Sequence, residues 1–392
     1  MKALILNAEL KTASVRPDTP LPSPQPGELL IRVEAIALNP VDALYTGHPL
    51  GATGRTVGSD FAGVVVAVGP ASSSSSGGGS PSQQPIQVGQ RVAGFLQGAC
   101  SANPRPGAFA EYLVCPADLV WRVPDGVAPE RAAPVSLCGL TAAQAVFYRL
   151  GLPAPFVTGR EAAGSDGGGG EPLRFFIYGA STSVGMYAAQ LVRRSCEVSG
   201  RRLVLIGAAS RARFEMLRAE PYGYEALVDY RDADWPEQVR RLAGGDGVDF
   251  AYDCISEGES VKKAASTLRE GGKIAVVRSR KSGAWVAAEG ELRSEPIYGA
   301  VWEGLGVEIQ YQGFVVPAPA EARRFAASFY SWLSGGGRLE PNPIRLMPGG
   351  LDRVVPDGFS LLGTGRVSDR QRDGTDWLRP ISAEKLVYKI QE

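Results

Sequence analysis

The first third of the chain reads as strands and turns. ELLIRVEAIAL alternates apolar and polar positions, DFAGVVVAVG is a β-branched run, and QRVAGF and FAEYLVC add two more strand patterns, all separated by Gly and Pro. The pattern then shifts to a 3.6-residue period in PERAAPVSLCGLTAAQAVFYRLGL, which predicts helix. From Leu173 strand and helix alternate: LRFFIYGA, SVGMYAAQLVRRS, RLVLIGAA, RFEMLRAE, ALVDY, DGVDFAYDCIS, SVKKAASTLREG, GKIAVV. That succession predicts βαβ units, hence a parallel sheet with helices on both faces. After residue 313 come a helical PAEARRFAASFYSWLSGGG and short β-like segments ending in KLVYKI. The C-terminus is therefore expected to rejoin the β-rich domain, giving segments 1–139, 140–313 and 314–392. Two low-complexity stretches, ASSSSSGGGSPSQQ after Pro70 and TGREAAGSDGGGGE at 158–171, lack the apolar residues that would offset their ordering entropy. They are expected to be mobile surface insertions.

Composition narrows the function classes. The 392 residues are 44% apolar and 21% charged, with 41 basic and 41 acidic side chains, so no basic excess points to nucleic acid or a membrane surface. No apolar run approaches the roughly 18 residues of a membrane span. MKALILNAEL lacks the order of a signal peptide, so the expected location is cytoplasmic. Five scattered cysteines and a single histidine, His48, form no CxxC pair and no clustered zinc-ligand set, so reduced thiols and no metal are expected. His48, in the turn-like YTGHPLG, reads as an exposed loop residue.

The strongest chemical signal is FFIYGASTSVGMYAAQLVRR. An apolar strand runs into Gly179, Ser181, Thr182, Ser183 and Val184, then into an amphipathic helix. Small residues there let a diphosphate approach backbone amides at the positive end of the helix dipole. The spacing is not G-x-G-x-x-G, and a plain tight turn competes until the following βαβ units are counted. At the end of the next strand, where an NAD site carries an acid, stand Ser210, Arg211 and Arg213. A hydroxyl and two guanidiniums suit a 2′-phosphate and hence NADPH. Tyr230 either stacks on an adenine or covers the sheet end. Cys254 ends a later strand and reads as a buried small hydrophobe, followed by Ile255 and Ser256 at the strand tip, where cofactors lie in open α/β sheets.

Taken together, ALNPVDALYTG, VGSDFAGVVVAVG, VGQRVAGF, GAFAEYLVCPADLVWRVPDGV and ISAEKLVYKI resemble the medium-chain dehydrogenase/reductase superfamily in order along nearly the whole chain. The resemblance implies an α/β protein with a GroES-like β-rich substrate domain and a Rossmann doubly wound parallel-sheet domain. Its zinc-ligand positions carry Asn39 and, in Gly58-Ser59-Asp60, a serine, so the chain is similar to the zinc-free quinone and enoyl reductase branch. Within that branch it is most similar to fungal trans-acting enoyl reductases of polyketide biosynthesis.

That likeness implies cofactor contacts at Val41, Asp42, Ser181, Thr182, Ser183, Val184, Ser210, Arg211, Arg213, Tyr230, Ile255, Ser256, Ile381 and Ser382. It also implies Thr141 near the nicotinamide, although a helix-interior threonine bonding back to a carbonyl is an equal reading. Pocket-lining residues are expected at Leu140 and at Ile297, Tyr298, Gly299, Ala300 and Val301. The group's Asn-Pro-x-Asp segment continues with an aromatic residue and a lysine, whereas this chain has Ala43 and Leu44, with Tyr45 as the candidate substitute. The resemblance thus implies a monomeric NADPH-dependent reductase of a small or carrier-bound enoyl thioester, working with a polyketide synthase. A reductase of free quinones or enones, and an NADPH-binding partner protein without turnover, stand as alternatives.

Overall fold

The computed structural model describes residues 1–70, 85–99, 105–157, 171–288, 290–311, 314–371 and 373–390. Both low-complexity stretches, apart from Glu171, lie outside the described residues, as does Cys100. The chain forms two compact units, Met1–Leu137 with Trp302–Glu392, and Cys138–Val301.

The first unit opens with an antiparallel pair, β1 (Ala3–Asn7) and β2 (Thr12–Arg16). β3 (Glu28–Ala37) follows, then helix α1 (Pro40–Gly47), β4 (Asp60–Val68), β5 (Arg91–Phe95), β6 (Tyr112–Pro116) and β7 (Val120–Arg122). β3 is long enough to serve two partners on one edge. Its first half pairs β6 from Glu28 to Arg32, and its end, Ala35 to Ala37, pairs the final strand of the chain. The helical stretch expected after residue 128 is segmented. α2 (Pro129–Ala132) gives way at Pro134 to a 3₁₀ turn, then to α3 (Ser136–Ala143) and a π-helical turn, Gln144–Arg149. A proline within the pattern cannot continue the i→i−4 ladder.

The second unit is a six-stranded parallel sheet of β8 (Leu173–Tyr178), β9 (Leu203–Ala209), β10 (Ala226–Asp229), β11 (Val248–Asp253), β12 (Leu268–Val276) and β13 (Ile297–Tyr298). Its order is β10-β9-β8-β11-β12-β13. The helices between strands are α4 (Ser183–Ser199), α5 (Phe214–Arg218), α6 (Trp235–Leu242) and α7 (Ser260–Ser266). Trp235 on α6 is buried and stacks on Phe176 of β8, ring centroids 5.5 Å apart, within a core that includes Ile206, Ala251 and Ile274. The helix expected over SVKKAASTLREG stops early. The Thr267 hydroxyl donates to the Ala264 carbonyl at 2.7 Å, competing with the helical ladder, and Leu268 already begins β12.

From Trp302 the chain is again part of the first unit, where Trp302 packs on Phe95 of β5 at 5.9 Å and Arg323 donates to the Leu305 carbonyl. β14 (Ile309–Tyr311) and β15 (Phe314–Val316) form a hairpin. α8 (Ala320–Ser334), β16 (Ile344–Met347), α9 (Ser360–Leu362) and β17 (Lys385–Lys389) complete the unit. Its main sheet runs β16-β17-β3-β4-β5-β7, with β6 also on β3.

Candidate functional site

β8 is central because it is apolar throughout its middle: Phe175, Phe176 and Ile177 are fully buried between β9 and β11. It delivers the chain to the C-terminal edge of the sheet at Gly179, whose φ of +75° disfavours any side chain. A Cβ at Gly185 would collide with the Gly179 carbonyl oxygen, so both glycines are needed for strand and helix to approach. Thr182 caps α4, its Oγ1 accepting from the Gly185 amide at 3.0 Å. Ser181, Thr182, Ser183 and Val184 are half-buried around this turn. Small side chains, first-turn amides and the helix dipole together fit a diphosphate. These residues would hold the pyrophosphate of a dinucleotide.

At the end of β9, Ser210 precedes a 3₁₀ turn, Arg211–Arg213, that leads into α5. Arg211 is not a bare cation. Its Nη2 donates to Asp232 at 3.1 and 3.3 Å, and its Nε lies 3.4 Å from Asp229, while its side chain stays 71% exposed. The acid that the sequence pattern lacks after β9 is thus supplied in space by Asp229, the last residue of β10, and by Asp232 just beyond it. Tyr230 is 42% exposed, and the Arg231 guanidinium stands 4.9 Å from its ring centroid, a cation–π contact. Neither Asp232 nor Arg231 was singled out from sequence. Their signal was the charge density of DYRDAD beside an already suspect tyrosine.

The tip of β11 is organised by Asp253, which is fully buried. Its Oδ1 accepts from the amides of Ile255 (2.9 Å) and Ser256 (2.7 Å), and its Oδ2 from the Ser260 hydroxyl (2.6 Å). Burial raises its pKa to about 6, against these hydrogen bonds, which lower it. Ser256 lies beside it. It is wholly buried at φ +52°, and its hydroxyl donates to the Asp253 carbonyl at 2.9 Å while accepting from Val277 N at 3.0 Å. Any ligand contact at Ser256 falls to its backbone. Ile255 is half-buried. Cys254 is 7% exposed and burial pushes its thiol pKa well up, the behaviour of a packed hydrophobe, not a nucleophile.

Also in the second unit, Thr141 is half-buried on α3, as are Ile297, Tyr298 and Gly299 at β13. Leu140 is fully buried, and Ala300 and Val301 are 5% and 8% exposed. The flat backbone of Gly299 accommodates the Arg149 guanidinium, which a Cβ would displace.

In the first unit the Asn39-Pro40-Val41-Asp42 segment starts α1. Val41 is half-buried, but Asp42 is 5% exposed and its carboxylate is turned inward, accepting from Asn39 N at 2.7 Å and from the Ser59 hydroxyl at 2.8 Å. Its side chain therefore does not present a ligand contact. Burial lifts its pKa to about 7. Tyr45 is 3% exposed on α1. His48, the residue after α1, is exposed, as expected. Ile381 is half-buried and Ser382 exposed, just before β17.

Asn39 and Ser59, at the two zinc-ligand positions, are bonded to each other, amide to hydroxyl at 3.0 Å. These lack the thiolate and imidazole donors zinc prefers. Among the described residues no group of three or more His, Cys, Asp or Glu side chains is placed to hold a metal. No helix among them is long and apolar enough to cross a membrane.

Residues 25–125 match the alcohol dehydrogenase GroES-like domain, and residues 183–284 match the zinc-binding dehydrogenase domain. The chain belongs to the medium-chain dehydrogenase/reductase superfamily and carries its nicotinamide-cofactor fold. Among its relatives are trans-enoyl reductases of fungi. That of Thermothelomyces thermophilus is 30% identical, covering 90% of each chain. That of Penicillium crustosum is 29% identical over 94% of this chain and 92% of the other. A mycobacterial protein solved in complex with NADPH shares the fold with a TM-score of 0.64 at 21% identity, covering 99% of this chain and 100% of the other.

Proposed function

We propose that this protein is an NADPH-dependent, trans-acting enoyl reductase that reduces the C=C bond of an α,β-unsaturated polyketide thioester in secondary-metabolite biosynthesis. The observation that carries the reading is the capped Gly179–Gly185 turn at the tip of a central parallel strand, in a chain related over nearly its full length to trans-enoyl reductases. Bound NADPH supplies the hydride for the β-carbon of the enoyl group. The first-turn amides of α4 hold the diphosphate, and Ser210, Arg211 and Arg213 take the 2′-phosphate. Tyr230 would take the adenine, and the backbone at Ile255 and Ser256 would complete the cofactor contacts of the second unit. Thr141 positions substrate and nicotinamide, and Ile297–Gly299 line the acyl chain. With Tyr45 buried and Leu44 aliphatic, the α-carbon takes its proton from solvent.

The protein works in the cytoplasm as a monomer on a carrier-bound thioester presented by a polyketide synthase. Stopped-flow NADPH oxidation against enoyl thioesters, including N-acetylcysteamine forms, and against free quinones tests the assignment. Turnover of the thioesters alone is expected. Turnover of quinones alone would make it a detoxifying reductase, and tight NADPH binding with no turnover of any acceptor would make it a binding partner.

A further inference from the structure

The carboxyl edge of the parallel sheet carries a charged cluster beside the β8–α4 turn, and both belong to the second unit. The backbone joins them. Ala180 N, in the turn, donates to Ala208 O of β9 at 2.9 Å, and Ser210 and Arg211 follow two and three residues on. In open α/β sheets ligands lie outside these strand ends, where the strand order reverses; here that point falls between β8 and β11.

The cluster converges on Asp229, the last residue of β10, which is 6% exposed. Its Oδ1 accepts from the Arg231 amide N at 3.0 Å, fixing the turn that displays Tyr230. Its Oδ2 lies 3.4 Å from Arg211 Nε and 3.6 Å from Arg231 Nη1. A guanidinium has a side edge, Nε with Nη2, and an end edge, Nη1 with Nη2. Asp229 and Asp232 together occupy the side edge of Arg211. Among the described residues no acceptor takes its Nη1. A planar cation tied down on one edge and open on the other is shaped to take a phosphate.

The two aspartates are not equivalent. The Asp232 side chain is 32% exposed, so its charge also meets an arriving anion and repels it. Asp229 is buried and holds Arg211 with little of its own charge open to solvent. An arginine ordered by its ligand gives up side-chain entropy on binding, whereas one already held has less to lose.

We propose that Asp229 is a positioning residue that selects for a 2′-phosphorylated cofactor. It fixes the Nε edge of Arg211 and so presents the open edge to the phosphate. This rests on the reading of Arg211 as the 2′-phosphate contact.

The test uses 2′-phospho-ADP-ribose and ADP-ribose, which differ only in the 2′-phosphate and whose proposed contacts all lie in the second unit. Both are titrated calorimetrically into wild type, Asp229→Asn, Arg211→Ala and the double variant, with thermal melting of each protein recorded. Asparagine keeps the acceptor for the Arg231 amide and removes the charge that holds Arg211. Asp229→Ser, too short to reach Arg211, repeats the comparison should the asparagine variant not fold. Asp229→Asn is expected to weaken 2′-phospho-ADP-ribose about three- to ten-fold and ADP-ribose less than about two-fold. In the Arg211→Ala background the same substitution should add less than about two-fold, because the residue it acts through is gone. Four results would overturn the proposal: unchanged affinity for the phosphorylated ligand, tighter binding of it, equal losses for both ligands, or a full loss that persists without Arg211. Wild-type protein that binds the two ligands equally would end the 2′-phosphate reading itself, before any variant is compared.

Discussion

Two residues carry the sharpest local consequences. Arg211 is held by Asp232 and Asp229 yet remains mostly exposed, so its guanidinium is oriented before any phosphate arrives. Charge-assisted hydrogen bonds contribute about 1.5–3 kcal/mol each. Arg211→Ala should therefore weaken NADPH binding by roughly ten- to hundred-fold. NADH binding should hardly change, and equal losses for both would remove the phosphate assignment. Asp253 has its folded-state pKa raised from 3.8 to about 6, so the protonated carboxyl is the form the fold favours. Its contribution is complete below the unfolded value and is lost as pH rises through about 6. Asp253→Asn should therefore gain stability relative to wild type, by on the order of 2–3 kcal/mol, between acid and neutral pH. Urea unfolding of both proteins at several pH values measures this, and parallel curves would mean that Asp253 titrates normally.

Among elements, the β8–α4 junction stores the most specificity in the least space. Gly185 sits against the Gly179 carbonyl, and Thr182 caps the helix between them. Gly185→Ala has no room, so the turn must open, at a cost of roughly 1–3 kcal/mol. Melting should fall, and NADPH affinity should fall further than Arg211→Ala alone lowers it, because the diphosphate amides move with the turn. Normal binding in a stable Gly185→Ala protein would show that the cradle lies elsewhere. This junction was legible from residue size and periodicity once the βαβ units that follow it were counted. The short α7 was not, because the Thr267 back-bond that ends it requires knowing where the hydroxyl turns.

For the whole molecule, the expectation of a monomer rests on the edge of the parallel sheet. β13 is only two residues long and follows Pro296, which offers no amide to a partner. Light scattering coupled to sizing is expected to give a monomer across micromolar concentrations. A dimer that forms through this edge would contradict that expectation and should dissociate when Tyr298 is replaced by proline.

Local pattern was enough for the two kinds of sheet and for the small-residue turn between β8 and α4, because each depends on neighbours within a few residues. Where the chain returns to its first unit depended on Trp302 meeting Phe95, a contact between residues far apart in the chain. The same holds for the side chains of Asp42 and Ser256, whose partners within the fold no local pattern shows. Burial and pairing are properties of the folded chain. Lys385 reads as an ordinary strand-end lysine until β17 lies beside β3 and brings its ammonium to Asn39 and Asp60.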